Sequence, residues 1–148
     1  MRILLQRVSR AAVRVHGETI AEIGPGLLLL VGIGAGDAFG EYDRLADKVV
    51  YLRVFEDDDG KMNRSLAEVG GEILVVPQFT LYGNVRKGRR PSWDGAAPLE
   101  VAADRVEAFA RALEARGALV QRGAFREHME VDLVNDGPVT LWLDTAEL

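Results

Sequence analysis

The spacing of apolar residues changes along the chain, and each change marks an element. Residues 3–8 and 12–15 are rich in apolar and β-branched side chains, punctuated by Arg2, Arg7, Arg10 and Arg14, and predict two strands. After the turn signal Gly17-Glu18, residues 19–23 predict a third. Gly24-Pro25-Gly26 then leads into residues 27–33, which are apolar on both faces and therefore read as a central strand. The period now becomes helical. Tyr42, Leu45, Val49 and Leu52 form one stripe, with Glu41, Asp43, Arg44, Asp47 and Lys48 outside it. Glu56-Asp57-Asp58-Asp59-Gly60 reads as an exposed acidic hairpin turn. Gly70-Gly71 introduces a buried strand over residues 72–76. A second helix follows from the stripe Leu99, Ala102, Val106, Phe109 and Leu113, ended by Gly117, and residues 118–121 predict a short strand.

The last stretch alternates strictly. Met129, Val131 and Leu133 alternate with Glu130 and Asp132; Val139, Leu141 and Leu143 alternate with Thr140, Trp142 and Asp144. Two half-buried strands around Asn135-Asp136-Gly137-Pro138 predict a hairpin whose turn is rigid, because Pro138 has a fixed φ and no N–H. The order of elements is that of an α+β or mixed α/β domain spanning residues 1–148.

Composition narrows the function classes. With 148 residues, one core can form without staples. With no cysteine, disulfides, thiol chemistry and cysteine metal sites are excluded. The start carries no long apolar region, and the longest apolar run, residues 27–31, is too short for a membrane span, so a cytoplasmic location is expected. A net charge of -5 excludes a general nucleic-acid coat. Any nucleic-acid contact must come from a local basic patch. Arg86, Lys87, Arg89 and Arg90 form the one dense patch, with Trp93 beside it, and it reads either as a solvated loop or as a phosphate contact with an aromatic neighbour.

Conventional catalytic signatures are thin. Gly32-Ile33-Gly34-Ala35-Gly36 fails the dinucleotide spacing, since the third glycine would fall on Asp37. A calcium loop counted from Asp57 fails at Lys61 and Met62. His16 and His128 have no partner at a telling spacing, and no nucleophile elbow surrounds Ser9, Ser65 or Ser92. Thr80 is the most plausible single nucleophile, yet no base lies near it in sequence, and a β-branched residue also simply suits a strand end. The other candidate chemistry uses main-chain N–H groups at Phe79 and Thr80, which could polarise an ester carbonyl.

Two motifs in order, Gln78-Phe79-Thr80-Leu81-Tyr82 and Asn135-Asp136-Gly137-Pro138-Val139-Thr140, resemble the D-aminoacyl-tRNA deacylase family. The likeness extends to Leu52-Arg53-Val54-Phe55-Glu56-Asp57, Gly60-Lys61-Met62-Asn63, Gly70-Gly71-Glu72 and Arg86-Lys87-Gly88-Arg89-Arg90-Pro91-Ser92, and so covers essentially the whole chain. The resemblance implies a three-layer arrangement of two β-sheets and helices, and a homodimer with an active site at each interface. It implies a cis Gly137-Pro138 peptide that reaches into the partner's pocket to meet the substrate amino group and exclude an L side chain. It further implies Gln78, Phe79 and Thr80 as catalytic residues, Met129 and Asn135 beside Gly137 and Pro138 in substrate binding, and Arg86, Lys87, Arg89 and Arg90 on the tRNA. The substrate would be the aminoacyl ester at the 3′ end of tRNA, glycyl esters included, with a ribose hydroxyl assisting and no cofactor. There are departures. Pro77 stands where serine is usual and brings neither hydroxyl nor N–H; a related group with looser chirality also has proline there but lacks Phe79. Arg126 and Glu127 replace a common Gly-Ala. The alternatives are therefore a deacylase of relaxed chirality and a non-catalytic module that binds the tRNA end.

Overall fold

The computed structural model describes all 148 residues. The chain begins with one 14-residue strand, β1 (Arg2–Val15), where the sequence pattern predicts two. The pattern breaks at Ser9 and Arg10, which are exposed, but the backbone runs on because β1 changes partners there. Its first half pairs with β3 (Gly26–Gly32) and its second half with β2 (Glu18–Ile23). The β1–β2 turn places His16 and Gly17 at φ 50° and 78°, the mirror-image turn geometry that matches the strand twist.

Next come α1 (Glu41–Tyr51) and a ribbon of β4 (Phe55–Glu56) and β5 (Met62–Arg64). The acidic stretch is its turn, as expected: the Asp57 carboxylate accepts from the Asp59 and Lys61 N–H groups and from Asn63 Nδ2. A four-residue helix, α2 (Leu66–Val69), follows, held by a capping box in which Ser65 and Glu68 bond reciprocally. Then come β6 (Glu72–Pro77), a 3₁₀ turn (Phe79–Tyr82), α3 (Leu99–Glu114), β7 (Leu119–Arg122) and β8 (Glu130–Asp144).

The main sheet runs β2-β1-β3-β6-β7, with β8 on the other side of β1. β3, β6 and β7 are parallel, and their connections carry α1 and α3, as parallel neighbours require. β3 is central, as its two-faced apolar run predicts. Gly26 is required at its start, because a Cβ there would lie 1.8 Å from the Glu72 carbonyl oxygen.

Two buried clusters define three layers. On one face Ile3, Leu5, Leu27, Leu29, Ile73 and Val75 pack under the helical stripes of α1 and α3, with Phe109 fully buried. On the other face Leu28, Leu74 and Val76 meet Val8, Val13, Ala21 and Ile23, so the β1–β2 end of the sheet folds over its own β3–β6 part. Met129, Val131 and Leu133 of the chain leading into and along β8 pack on this second cluster. One expected stripe residue, Leu99, is not in the core: it is 40% exposed at the first turn of α3.

The predicted C-terminal hairpin does not form. Both flanks of Asn135-Asp136-Gly137-Pro138 belong to β8, and both pair antiparallel with β1 rather than with each other. Where β1 advances two residues, from Gln6 to Val8, β8 advances five, from Thr140 back to Asn135. The motif is thus a wide bulge in one long strand. Period-two alternation identified the two flanks correctly but could not name their partner, which lies more than a hundred residues earlier.

Candidate active site

A cavity of about 810 Å³ opens at the C-terminal ends of the parallel strands β3 and β6. Crevices at this edge are the usual binding place in such sheets. Its floor is apolar, made by Val31, Ile33, Val76, Ala97, Ala102 and Val106. Gln78, Phe79 and Trp93 form one wall, and residues 125–129 form another.

The first wall is built by the end of β6. Gln78 N–H donates to the Val31 carbonyl at 2.8 Å, the last main-chain tie to the sheet. The chain then turns into 3₁₀ geometry, where Leu81 N–H bonds back to the Gln78 carbonyl at 3.3 Å. The N–H groups of Phe79 and Thr80 precede that bond, the position at which helical donors lack intrahelical acceptors. Phe79 packs edge-on against Trp93, ring centres 5.1 Å apart, and Gly83 gives the indole room, since a Cβ would sit 2.8 Å from it. The turn is pinned from below by Arg2. Its guanidinium donates to the Leu81 carbonyl and to Asp144, both at 3.0 Å, and lies 4.4 Å from the Tyr82 ring centre. Burial pushes the Tyr82 phenol well above its ordinary pKa, so it stays protonated.

Thr80 is exposed, and its hydroxyl accepts from the Gln78 side-chain amide. An amide N–H cannot take a proton, and no histidine or carboxylate bonds this hydroxyl. The geometry does not activate Thr80 as a nucleophile.

The bulge of β8 is a separate rigid feature. Its Gly137-Pro138 peptide is cis. Asn135 closes the loop: its Oδ1 accepts from Val139 N–H at 3.1 Å and its Nδ2 donates to Thr140 Oγ1 at 2.8 Å. Gly137 has φ 139°, and a Cβ would fall 2.8 Å from Val139, so only glycine fits. Beneath lies Arg7, only 5% exposed. Its Nε donates to the Asp136 carbonyl at 2.9 Å and its Nη1 to the Val54 carbonyl at 2.7 Å, with Glu56 and Asp136 carboxylates at 3.7 Å. Sequence reading missed Arg7. The signal was present: with Ile3 and Leu5 it occupies the inward register of β1, where an unpaired charge would be prohibitively costly.

The cavity therefore gathers Gln78, Phe79 and Met129 from the expected set, and it does not include Thr80, Asn135, Gly137 or Pro138. Gly137 and Pro138 are exposed on the surface instead. Arg86, Lys87, Arg89 and Arg90 lie outside the cavity on an exposed loop, closed by mutual main-chain bonds between Asn84 and Ser92 at 2.8 and 3.0 Å. None of the four side chains is in an ion pair, and Trp93 joins their loop to the cavity wall. No group of three His, Cys, Asp or Glu residues could hold a metal ion, and no helix is long and apolar enough to cross a membrane.

Comparison with known proteins agrees with this architecture. Residues 4–144 match the family model described as D-Tyr-tRNA(Tyr) deacylase. The chain is 59% identical to the D-aminoacyl-tRNA deacylase of Thermomicrobium roseum over 100% of its own length and 96% of the relative's. It is 56% identical to that of Roseiflexus castenholzii, over 99% and 93%. Among solved structures, a c-Myc DNA unwinding element binding protein superposes with a TM-score of 0.91 at 41% identity, covering 97% of this chain and 98% of that one. A probable eukaryotic D-amino acid tRNA deacylase shares the fold, with a TM-score of 0.83 at 18% identity over 96% and 97%. The chain belongs to the D-Tyr-tRNA(Tyr) deacylase family.

Proposed function

We propose that this chain hydrolyses the ester of D-aminoacyl-tRNA, releasing the free D-amino acid and tRNA. Besides family membership, one observation carries the reading: an apolar cavity with main-chain donors at its mouth coexists with a rigid turn that lies outside it. In the proposed mechanism the terminal adenosine enters the cavity. Water adds to the ester carbonyl, and the N–H groups of Phe79 and Thr80 stabilise the oxyanion. Collapse expels the ribose oxygen, with the neighbouring ribose hydroxyl assisting proton transfer. The Gln78 amide orients Thr80, and Met129 shapes the pocket wall.

The Gly137-Pro138 turn completes the partner's site in a twofold homodimer. Its carbonyls receive the substrate amino group, and an L side chain meets the turn. Selection acts by exclusion, so glycyl-tRNA is also a substrate. What supports this assembly is the free edge of β8, a 15-residue strand that exposes Val134, Leu141 and Trp142. An edge of that length and apolarity calls for a partner strand or face. Arg86, Lys87, Arg89 and Arg90 then meet phosphates of the single-stranded tRNA end.

A second reading, a deacylase of relaxed chirality, is favoured by Pro77. It ends β6 at the cavity wall with no N–H to offer a substrate.

The test is incubation of the purified protein with D-tyrosyl-tRNA and with glycyl-tRNA mischarged on the same tRNA, following release of the amino acid. Turnover of both supports the reading. Tight binding with no release identifies a binding module instead.

A further inference from the structure

We infer that Arg126 is an RNA-backbone contact at the mouth of the cavity, taking the phosphodiester that precedes the terminal nucleoside. The inference rests on the substrate class proposed above and adds a residue to its recognition.

Three observations converge on this side chain. Arg126 lines the cavity together with Phe79 and Trp93, and is exposed. Its backbone has φ 66°, left-handed geometry that glycine adopts freely and residues with a Cβ adopt with strain. His16 is the only other non-glycine residue there, and it sits in a tight hairpin turn, where such geometry is demanded by the strands. At residue 126 a long cationic side chain occupies a position at which glycine would be conformationally easier. Strain of this kind marks positions where the side chain serves something besides folding.

The guanidinium is also free. It makes no hydrogen bond and no ion pair, although Glu127 is its chain neighbour; Arg44, Arg53, Arg86, Arg89 and Arg90 are free as well, but Arg126 alone of these lines the cavity. The chemistry of the cavity supplies the ligand. Its floor is apolar and suits an uncharged base and sugar, so the first phosphate of an entering RNA end must stop at the rim. There Glu127 would repel it unless a cation intervenes. A guanidinium presents a planar fork that meets two phosphate oxygens at once. The basic loop, which adjoins Trp93 of the cavity lining, meets phosphates farther along the strand.

The experiment compares two substrates and three proteins. The substrates are a D-aminoacyl-tRNA and the matching D-aminoacyl-adenosine, which carries no phosphate. The proteins are the wild type, Arg126→Gly and Arg126→Lys. Arg126→Gly relieves the backbone and should raise Tm by about 2 to 4 °C, which guards against misfolding as the cause of any loss. The preference for tRNA over the adenosine ester, as the ratio of kcat/KM values, should fall about five- to tenfold, through KM. The slope of log kcat/KM against log salt should become shallower by roughly 0.7, the value for one phosphate of a single strand. Arg126→Lys should recover part of the preference. An unchanged ratio, or equal losses on both substrates, overturns the inference. If the wild type binds deacylated tRNA but cleaves neither ester, the functional reading fails alone. The salt slopes of that binding in wild type and Arg126→Gly then decide the role of Arg126: equal slopes overturn it, and a shallower slope in the variant supports it.

Discussion

Replacing Arg7 by methionine separates the stability of the fold from the aim of the β8 bulge. Methionine keeps most of the length and removes the guanidinium. Two carbonyls lose their donor, Val54 at 2.7 Å and Asp136 at 2.9 Å. They are not equivalent. Asp136 is exposed, so water can replace the missing bond, while Val54 is 5% exposed and its carbonyl is stranded. An orphaned buried acceptor costs about 1 to 3 kcal/mol, and relief from burying the charge offsets part of this. Tm should therefore fall by about 2 to 12 °C and the protein should remain folded at 25 °C. Activity should fall much further. Residues 136–138 lose their anchor, and displacement of a positioning group by about 1 Å commonly costs around a hundredfold in rate. Discrimination between D and L esters should narrow with it. Arg7→Lys, which can reach only one carbonyl, should lie between. Thermal melts paired with kcat/KM for both esters make the measurement. An Arg7→Met protein with the expected melt but wild-type kcat/KM and D/L ratio would refute the reasoning, because the bulge would then need no anchor or play no part in the site.

Thr80→Ala should lose only about five- to a hundredfold in kcat, far less than removal of a nucleophile would cost, because alanine keeps the N–H and loses only a hydroxyl bonded to the Gln78 amide. On a 2′-deoxy ester charged at the 3′ oxygen, turnover by the wild type should drop severely; an inert, folded Thr80→Ala enzyme together with full activity on that ester would make Thr80 the nucleophile. Neutralising Arg86, Lys87, Arg89 and Arg90 together should flatten the salt dependence of tRNA binding by roughly 0.7 for each phosphate that is no longer neutralised, and an unchanged slope would mean that the loop is only solvated. The pH dependence of stability follows from carboxylates held low: Glu107 and Glu114 by hydrogen bonds from Arg122, Asp132 by Arg10 and Arg14. Their folded pKa values lie below the unfolded ones, so on acidification the unfolded chain takes up protons first. Tm should be level near neutrality and fall below about pH 4.5, and Arg122→Gln should lessen the fall; a Tm that rises on acidification contradicts this.

Much of the architecture was legible because it is local. Helical spacing found α1 and α3, since each lays one apolar stripe on a sheet, and the two-faced run over residues 27–33 found the central strand. What escaped depends on distant partners. The two halves of β1 looked like separate strands because the break at Ser9-Arg10 marks a change of neighbour, not an end. The Asn135-Asp136-Gly137-Pro138 motif carried the composition of a hairpin turn, and only its pairing with β1 makes it a bulge. Leu99 kept the helical period but faces the cavity mouth, because periodicity reports a stripe and not what covers it. α2 is too short to show a period at all. In the site, Gln78, Phe79 and Met129 line one cavity. Arg7 was hidden as one of four arginines in an apolar stretch, although its place in the register of Ile3 and Leu5 sets it apart from Arg2, Arg10 and Arg14.

The central claim is that the site accepts a D-aminoacyl ester and excludes its mirror image. One tRNA should be charged with D-tyrosine and, separately, with L-tyrosine, and both incubated with the same purified protein. Progress curves for the two esters are then compared with spontaneous hydrolysis. The account predicts rapid loss of the D ester while the L ester decays at its spontaneous rate. Equal enzymatic rates on the two esters, or no acceleration of either, would contradict it.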